Sequence, residues 1–183
     1  MLSIYLDTNI VSSLAKRDLK DETMKLVLEI VQLAKNGKVM LYTSELTQEE
    51  IALIPEQFRY HHNLIYYLIK NIAIFPESCC PNLITQGLGI GGGLITKGLG
   101  AGTEDPIFVS INRIIPKPLN EGKVKARNAD VKHIFQSKKN NIDIFWTEDR
   151  KTILNKKNEF YKIGINVKSS KEVLDEITQV NIT

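Results

Sequence analysis

Acidic residues stand directly behind the most apolar stretches of this chain. Asp7 follows Leu2 to Leu6, Glu45, Glu49 and Glu50 follow Val39 to Tyr42, and Glu148 and Asp149 follow Ile142 to Trp146. Asp130 lies one segment upstream of the last pair. Carboxylates brought together repel one another and lose hydration, so without a counter-charge they take up protons. A hard divalent cation resolves that conflict, because Mg²⁺ and Mn²⁺ prefer oxygen ligands and sit between carboxylates and phosphates. Such ions activate water and steady the leaving oxygen of a phosphodiester. Taken singly, each acid has an ordinary reading: Asp7 as a turn or N-cap residue, Glu49 and Glu50 as first-turn acids, Asp130 as a cap, Asp149 as a turn residue. The set, in order behind apolar segments, is what points to chemistry.

The elements that must position these acids can be read from the same pattern. Short apolar runs at Leu2–Leu6, Val39–Tyr42, Ile72–Phe75, Ile142–Trp146 and Gly164–Val167 are expected strands. Helices are expected over Val11–Lys16, from an Asp21 cap to about Lys35, and from a Thr43 or Ser44 cap through Glu45, Glu49 and Glu50 until Pro55 breaks it. Further helices are expected at Glu56–Asn71, Ala126–Lys139, Lys151–Leu154 and Ser170–Ile177, with Asn36-Gly37 as a stop signal and Glu172 in the first turn of the last. Strands alternating with helices predict an α/β fold, a three-layer α/β/α arrangement around a central parallel sheet. Ligands of such sheets bind beyond the carboxyl ends of the strands, which is where the acids fall.

Size and composition narrow the function classes. The chain has 183 residues, 43% hydrophobic and 25% charged, which suits one domain spanning 1–183. No apolar run reaches the roughly 20 residues a bilayer span needs, and the N-terminus lacks the basic start of a secretory signal, so no membrane role and cytoplasmic residence are expected. Cys79 and Cys80 are adjacent, a geometry in which neither a disulfide nor a zinc site is expected. Eight of the eleven glycines fall between Gly87 and Gly102, and the region 78–120 is expected to be an inserted Gly-rich loop. It lacks the Gly-Lys-Ser/Thr ending of a phosphate-binding loop. The net charge of +3 says little, but Lys123, Lys125, Arg127, Lys132, Lys138 and Lys139 cluster, a local excess that either tracks phosphates or, as such stretches more often do, forms a solvated helix face. His61 and His62, among Tyr60, Tyr66 and Tyr67, read as a surface or an interface with another chain, and a homodimer is one expectation from it.

At this point the residues resemble the PIN-domain family, and in particular its VapC-like ribonuclease branch. The carriers are Asp7-Thr8-Asn9 behind the first strand, Thr47-Gln48-Glu49-Glu50-Ile51 in a Thr-x-x-Glu-aliphatic pattern, Asp130-Val131-Lys132-His133, and Thr147-Glu148-Asp149-Arg150 behind a strand. They occur in the family's order across residues 1–75 and 123–168. The resemblance nominates Glu50 over its neighbour Glu49 as the second acid, with Glu45 one turn earlier. It implies a metal-dependent endoribonuclease in which Asp7, Glu50, Asp130 and Asp149 hold Mg²⁺ or Mn²⁺. Asn9, Thr147 and Glu49 would support them, and Lys123, Lys125, Arg127 and Lys132 would bind RNA. It also implies a toxin of a toxin–antitoxin pair, with an antitoxin-like protein partner. The alternative is a catalytically inactive PIN-like module that binds RNA or protein, and a third reading is a DNA nuclease of related fold.

Overall fold

The computed structural model describes residues 1–74, 105–118, 120 and 123–180. Strand β1 (Ser3–Leu6) is buried along its whole length, as a strand covered on both faces must be. It pairs in parallel with β2 (Met40–Tyr42) on one side, Ile4 opposite Leu41, and with β3 (Ile144–Trp146) on the other, Leu6 opposite Trp146. Beyond β3 lies β4 (Val167–Lys168), giving an all-parallel sheet of order β2-β1-β3-β4. The chain therefore runs outward from β1 to β2 and later re-enters on the opposite side of β1. That reversal opens a crevice at the carboxyl ends of β1 and β3.

Eight α-helices occur among the described residues: α1 (Thr8–Lys16), α2 (Asp21–Lys35), α3 (Glu45–Ala52), α4 (Glu56–Lys70), α5 (Pro106–Ile114), α6 (Val124–Lys139), α7 (Lys157–Lys162) and α8 (Ser170–Val180). Alternation along the strands divides them between two cores. Ile4, Leu6, Ile144 and Trp146 pack with Ile10, Val27, Ile30, Ile69, Val173 and Ile177 from α1, α2, α4 and α8. Tyr5, Phe145 and Val167 pack on the other face with Phe108, Ile111, Val131, Ile134, Phe135 and Phe160 from α5, α6 and α7. Helices thus cover both faces of the sheet, a layering compatible with the α/β/α expectation. No helix among the described residues is long and apolar enough to cross a membrane.

Several local signals operate as their chemistry dictates. Gly37, at φ +67°, closes α2 with its N–H on Ala34 O at 3.0 Å, while Lys38 N–H reaches Leu33 O at 2.9 Å, a Schellman arrangement. Glu172 Oε2 accepts from both the backbone N–H and the hydroxyl of Ser169 at the start of α8, at 3.0 and 2.8 Å. Pro55 stands at the N-cap of α4, separating it from α3.

Other expectations change. The strand expected at Ile72–Phe75 is reduced to one parallel bridge between Ile74 and Tyr42, with Phe75 outside the described residues. The short helix expected at Lys151–Leu154 is a turn that tightens into a 3₁₀ segment over Leu154–Lys156 and then α7. Cys79, Cys80 and the Gly87–Gly102 stretch lie outside the described residues. The expected loop 78–120 is not loop throughout, because α5 falls within it. Asp105 caps that helix by accepting from Ile107 N–H at 2.9 Å, and Pro106 takes the first helical position, where its missing N–H costs nothing. Phe108, Ile111 and Ile114 then give the helix a buried apolar stripe, and Lys139 of α6 pairs with Asp105 at 2.5 Å. His62, expected at the surface, is buried and hydrogen-bonds Phe58 O through Nδ1 at 2.9 Å, whereas Tyr60 and Tyr67 are exposed.

Candidate active site

Asp7 is the first residue beyond β1, and its N–H continues the sheet by donating to Trp146 O at 3.0 Å. That bond draws the carboxyl ends of β1 and β3 together and leaves the Asp7 side chain buried between them. Its Oδ2 accepts from Thr147 Oγ1 at 2.6 Å, and the same Thr147 oxygen accepts from Asp149 N–H at 3.0 Å. A single fully buried hydroxyl thus aligns two of the acids. Asn9 adds a second tie, its Oδ1 accepting from Glu148 N–H at 3.2 Å. Asp149 Oδ1 folds back onto the Lys151 and Thr152 amides at 2.9 and 3.0 Å, the reason that segment turns. Glu148 leaves the crevice, its Oε1 accepting from Ser170 N–H at 2.8 Å at the start of α8.

The choice among the three glutamates of α3 follows from helix geometry. Thr47 and Ile51 face inward while Glu45 and Glu49 are exposed, so Glu50, one turn from Thr47, is the acid carried toward the crevice. Its Oε2 lies 2.7 Å from His133 Nε2 on α6. Asp130 stands one turn before His133 on the same helix, and no hydrogen bond or ion pair reaches its carboxyl among the described residues.

The charges show that the four acids share one neighbourhood. Burial, then the nearness of Asp7 and Glu50, with Asp149 adding a smaller push, raises Asp130 to about 8 from an ordinary 3.8. Burial also raises Asp7, against the opposing pull of His133 and the Thr147 hydrogen bond. For Glu50, burial is outweighed by the hydrogen bond and charge of His133, helped by Thr8 and Lys132, so it stays below its ordinary value. His133 is fully buried, which would lower it, yet Glu50, Asp7 and Asp130 together hold it above the ordinary imidazole value.

A buried polar layer beneath these acids was not anticipated from the sequence. The Tyr5 hydroxyl lies 2.7 Å from Ser44 Oγ, 2.9 Å from His133 Nδ1 and 3.3 Å from Gln136 Oε1. Thr8 Oγ1 lies 3.1 Å from His133 Nε2 and 3.2 Å from Thr47 Oγ1. One signal was available: Arg127, Asp130, His133 and Gln136 recur every three residues along α6, a polar stripe interleaved with Val131, Ile134 and Phe135.

The basic residues divide. Lys123 and Lys125 are exposed, and Lys132 is half-buried near enough to Glu50 to favour its charge. Arg127 is a correction to the expected phosphate-facing set. It is buried, with Nε donating to Ile115 O at 2.9 Å, Nη1 to Asn112 Oδ1 at 2.6 Å and Nη2 to Asn112 O at 2.9 Å. Its guanidinium is spent on tying the end of α5 to α6, because the carbonyls there have no helical partner of their own.

The donor set is chemically suited to a hard cation, being carboxylate oxygens backed by hydroxyls. Among the described residues, no three His, Cys, Asp or Glu side chains already stand close enough to ligate one ion. One oxygen each of Asp7, Glu50 and Asp149 is engaged, by Thr147, by His133 and by the Lys151 and Thr152 amides. Mg²⁺ commonly keeps several waters and is held by only one or two carboxylates directly, so such a set can serve partly through water. No protein-family model matches the sequence, and no curated protein matches it.

Proposed function

We propose that this chain is a metal-dependent endoribonuclease of the PIN type, with Asp7, Glu50, Asp130 and Asp149 as its acidic centre. The observation that carries this reading is the convergence of acids from β1, α3, α6 and the end of β3 at the crevice where the strand order reverses. The sign of its electrostatics supports it too: a carboxyl raised to about 8 by burial and then by neighbouring acids marks a site short of positive charge. Asp7, Asp130, Asp149 and Glu50 would hold Mg²⁺ or Mn²⁺, directly or through water. A bound divalent ion would supply water activation and stabilise the departing oxygen. Thr147 and Asn9 keep Asp7 and Asp149 in register, and Lys132, beside Glu50, would meet the phosphate. The exposed Lys123 and Lys125 would extend that attraction along the RNA backbone. A toxin role, with a small protein partner covering the acids, is the biological setting that accompanies this reading.

The deciding experiment is cleavage of a mixed single-stranded and structured RNA pool, and of matched DNA, in Mg²⁺, Mn²⁺ or EDTA. Wild type should cut RNA only with metal, and Asp7→Asn should not cut. A folded wild type that binds RNA in EDTA and cuts nothing under either metal refutes the enzyme in favour of a binding module. Cutting confined to DNA would move the substrate class.

A further inference from the structure

Of the four acids, Glu50 alone is held by an aromatic ring. It also sits on α3, the helix that follows β2, whereas Asp7 and Asp149 are held just beyond the ends of β1 and β3. A glutamate in such a place has rotamer freedom worth about 1.5–2 kcal/mol, so something must hold its carboxylate if it is to meet the other three. The His133 ring is the main holder, with Nε2 at 2.7 Å from Glu50 Oε2, and the Thr8 hydroxyl, 3.1 Å from the same Nε2, adds a smaller contribution. A carboxylate oxygen only accepts, so Nε2 must carry the proton of this contact. The ring is itself held from behind by the Tyr5 hydroxyl, 2.9 Å from Nδ1. Tyr5 is immobile for two reasons. It belongs to the central strand, and its ring stacks on Phe145 at 5.7 Å between centroids, with an interplanar angle of 14°. Ser44 Oγ and Gln136 Oε1 also lie within reach of its hydroxyl, at 2.7 and 3.3 Å. The result is a continuous line of contacts from β1 through Tyr5 and His133 to an acid on another helix.

We propose that His133, seated on the Tyr5 hydroxyl, is a positioning residue that clamps Glu50 by Oε2 and thereby makes Oε1 the oxygen offered to the divalent cation. This rests on the reading of the four acids as a metal centre. His133 neither touches substrate nor moves a proton in the reaction; it sets where one ligand stands. Groups that hold ligating side chains in this way change metal affinity by roughly 10–100-fold when removed. A histidine that merely filled space between α3 and α6 would affect folding and leave the affinity of the folded protein unchanged.

The test combines the ring's own spectrum with metal binding. The chain has only three histidines, so ¹⁵N-histidine labelling should resolve His133. Its Nε2 is expected to be protonated, with a resonance that moves in Glu50→Gln. An unprotonated Nε2 overturns the proposal without reference to metal. Calorimetric titration with Mn²⁺ should show roughly 10–100-fold weaker binding in folded His133→Leu. His133→Gln, whose amide can donate from nearly the same place, should recover most of the loss. Tyr5→Phe should weaken binding by less, and should add nothing in the His133→Leu background. A folded His133→Leu with the wild-type Kd overturns the proposal. If that variant does not fold, wild-type Kd values in both His133→Gln and Tyr5→Phe overturn it equally. A wild type that binds no Mn²⁺ overturns the metal reading and the Oε1 assignment with it, while the ring spectrum still decides whether His133 clamps Glu50.

Discussion

At neutral pH Asp130 is a stability burden whenever no cation is present. Its carboxyl is raised from 3.8 to about 8 by burial and by Asp7 and Glu50, so it titrates about four pH units above the unfolded chain. Each unit corresponds to about 1.4 kcal/mol, which sets an upper limit of about 6 kcal/mol. Relaxation of the neighbouring acids and partial access of water reduce this, and we expect about 2–3 kcal/mol at pH 7.5. The folded state binds the extra proton between the two values, so the contribution of Asp130 to stability is most favourable below about pH 4, falls as pH rises through this window, and levels off above about pH 8. Asn at this position carries no charge in either state. In EDTA, Asp130→Asn should therefore match wild type near pH 4 and exceed it increasingly toward pH 7.5. The expected rise in Tm there is about 4–12 °C for a chain of this size. Thermal melts at four or five pH values, with and without Mn²⁺, measure this directly. Saturating Mn²⁺ should close or reverse the gap, since only the wild type gains from the ion at this position. An Asn variant no more stable than wild type at pH 7.5 in EDTA, or one equally stabilised at pH 4, would refute the claim that the four acids crowd one another.

Other outcomes follow from named contacts. Arg127→Met should cost about 2–4 kcal/mol in denaturant melts, because it strands the Ile115 and Asn112 carbonyls, yet should leave RNA affinity of the folded protein unchanged. Lys132→Ala should do the opposite, weakening RNA binding and flattening its salt dependence with little change in stability. Thr147→Val should lower stability by about 1–3 kcal/mol and depress cleavage, since Asp7 Oδ2 and Asp149 N–H both lose their partner. Glu50→Gln should abolish metal-dependent cleavage while Glu49→Gln leaves it intact, the outward side chain of Glu49 having no part in the crevice; equal losses in a cleavage assay would contradict that assignment.

Elements whose chemistry is local were legible in the sequence. The runs around Ser3–Leu6, Met40–Tyr42 and Ile144–Trp146 read as strands because short apolar runs suit a parallel sheet covered on both faces. Asn36-Gly37 and Glu172 marked helix ends because they satisfy backbone groups within a few residues. The placement of Asp7 and Asp149 at one sheet edge followed from parallel topology alone. Helix α5 escaped notice beside a glycine-rich stretch, although Asp105-Pro106 and its apolar spacing signalled it.

Only the tertiary structure decided the rest. Composition gives Arg127 and Lys132 the same charge, but the orphan carbonyls at the end of α5 take one, and the acids keep the other nearby. The resemblance favoured Glu50 over its neighbour Glu49, but only the rotation of α3 against α6 turns Glu50 inward and leaves Glu45 and Glu49 exposed. Tyr5 reads as a core aromatic in an apolar strand, and so it is. Its hydroxyl became part of the candidate site because strand, helix and acid meet there from positions up to 131 residues apart. Periodicity reports which face of an element is buried; which polar groups meet on the buried side depends on distances between elements that no local pattern encodes.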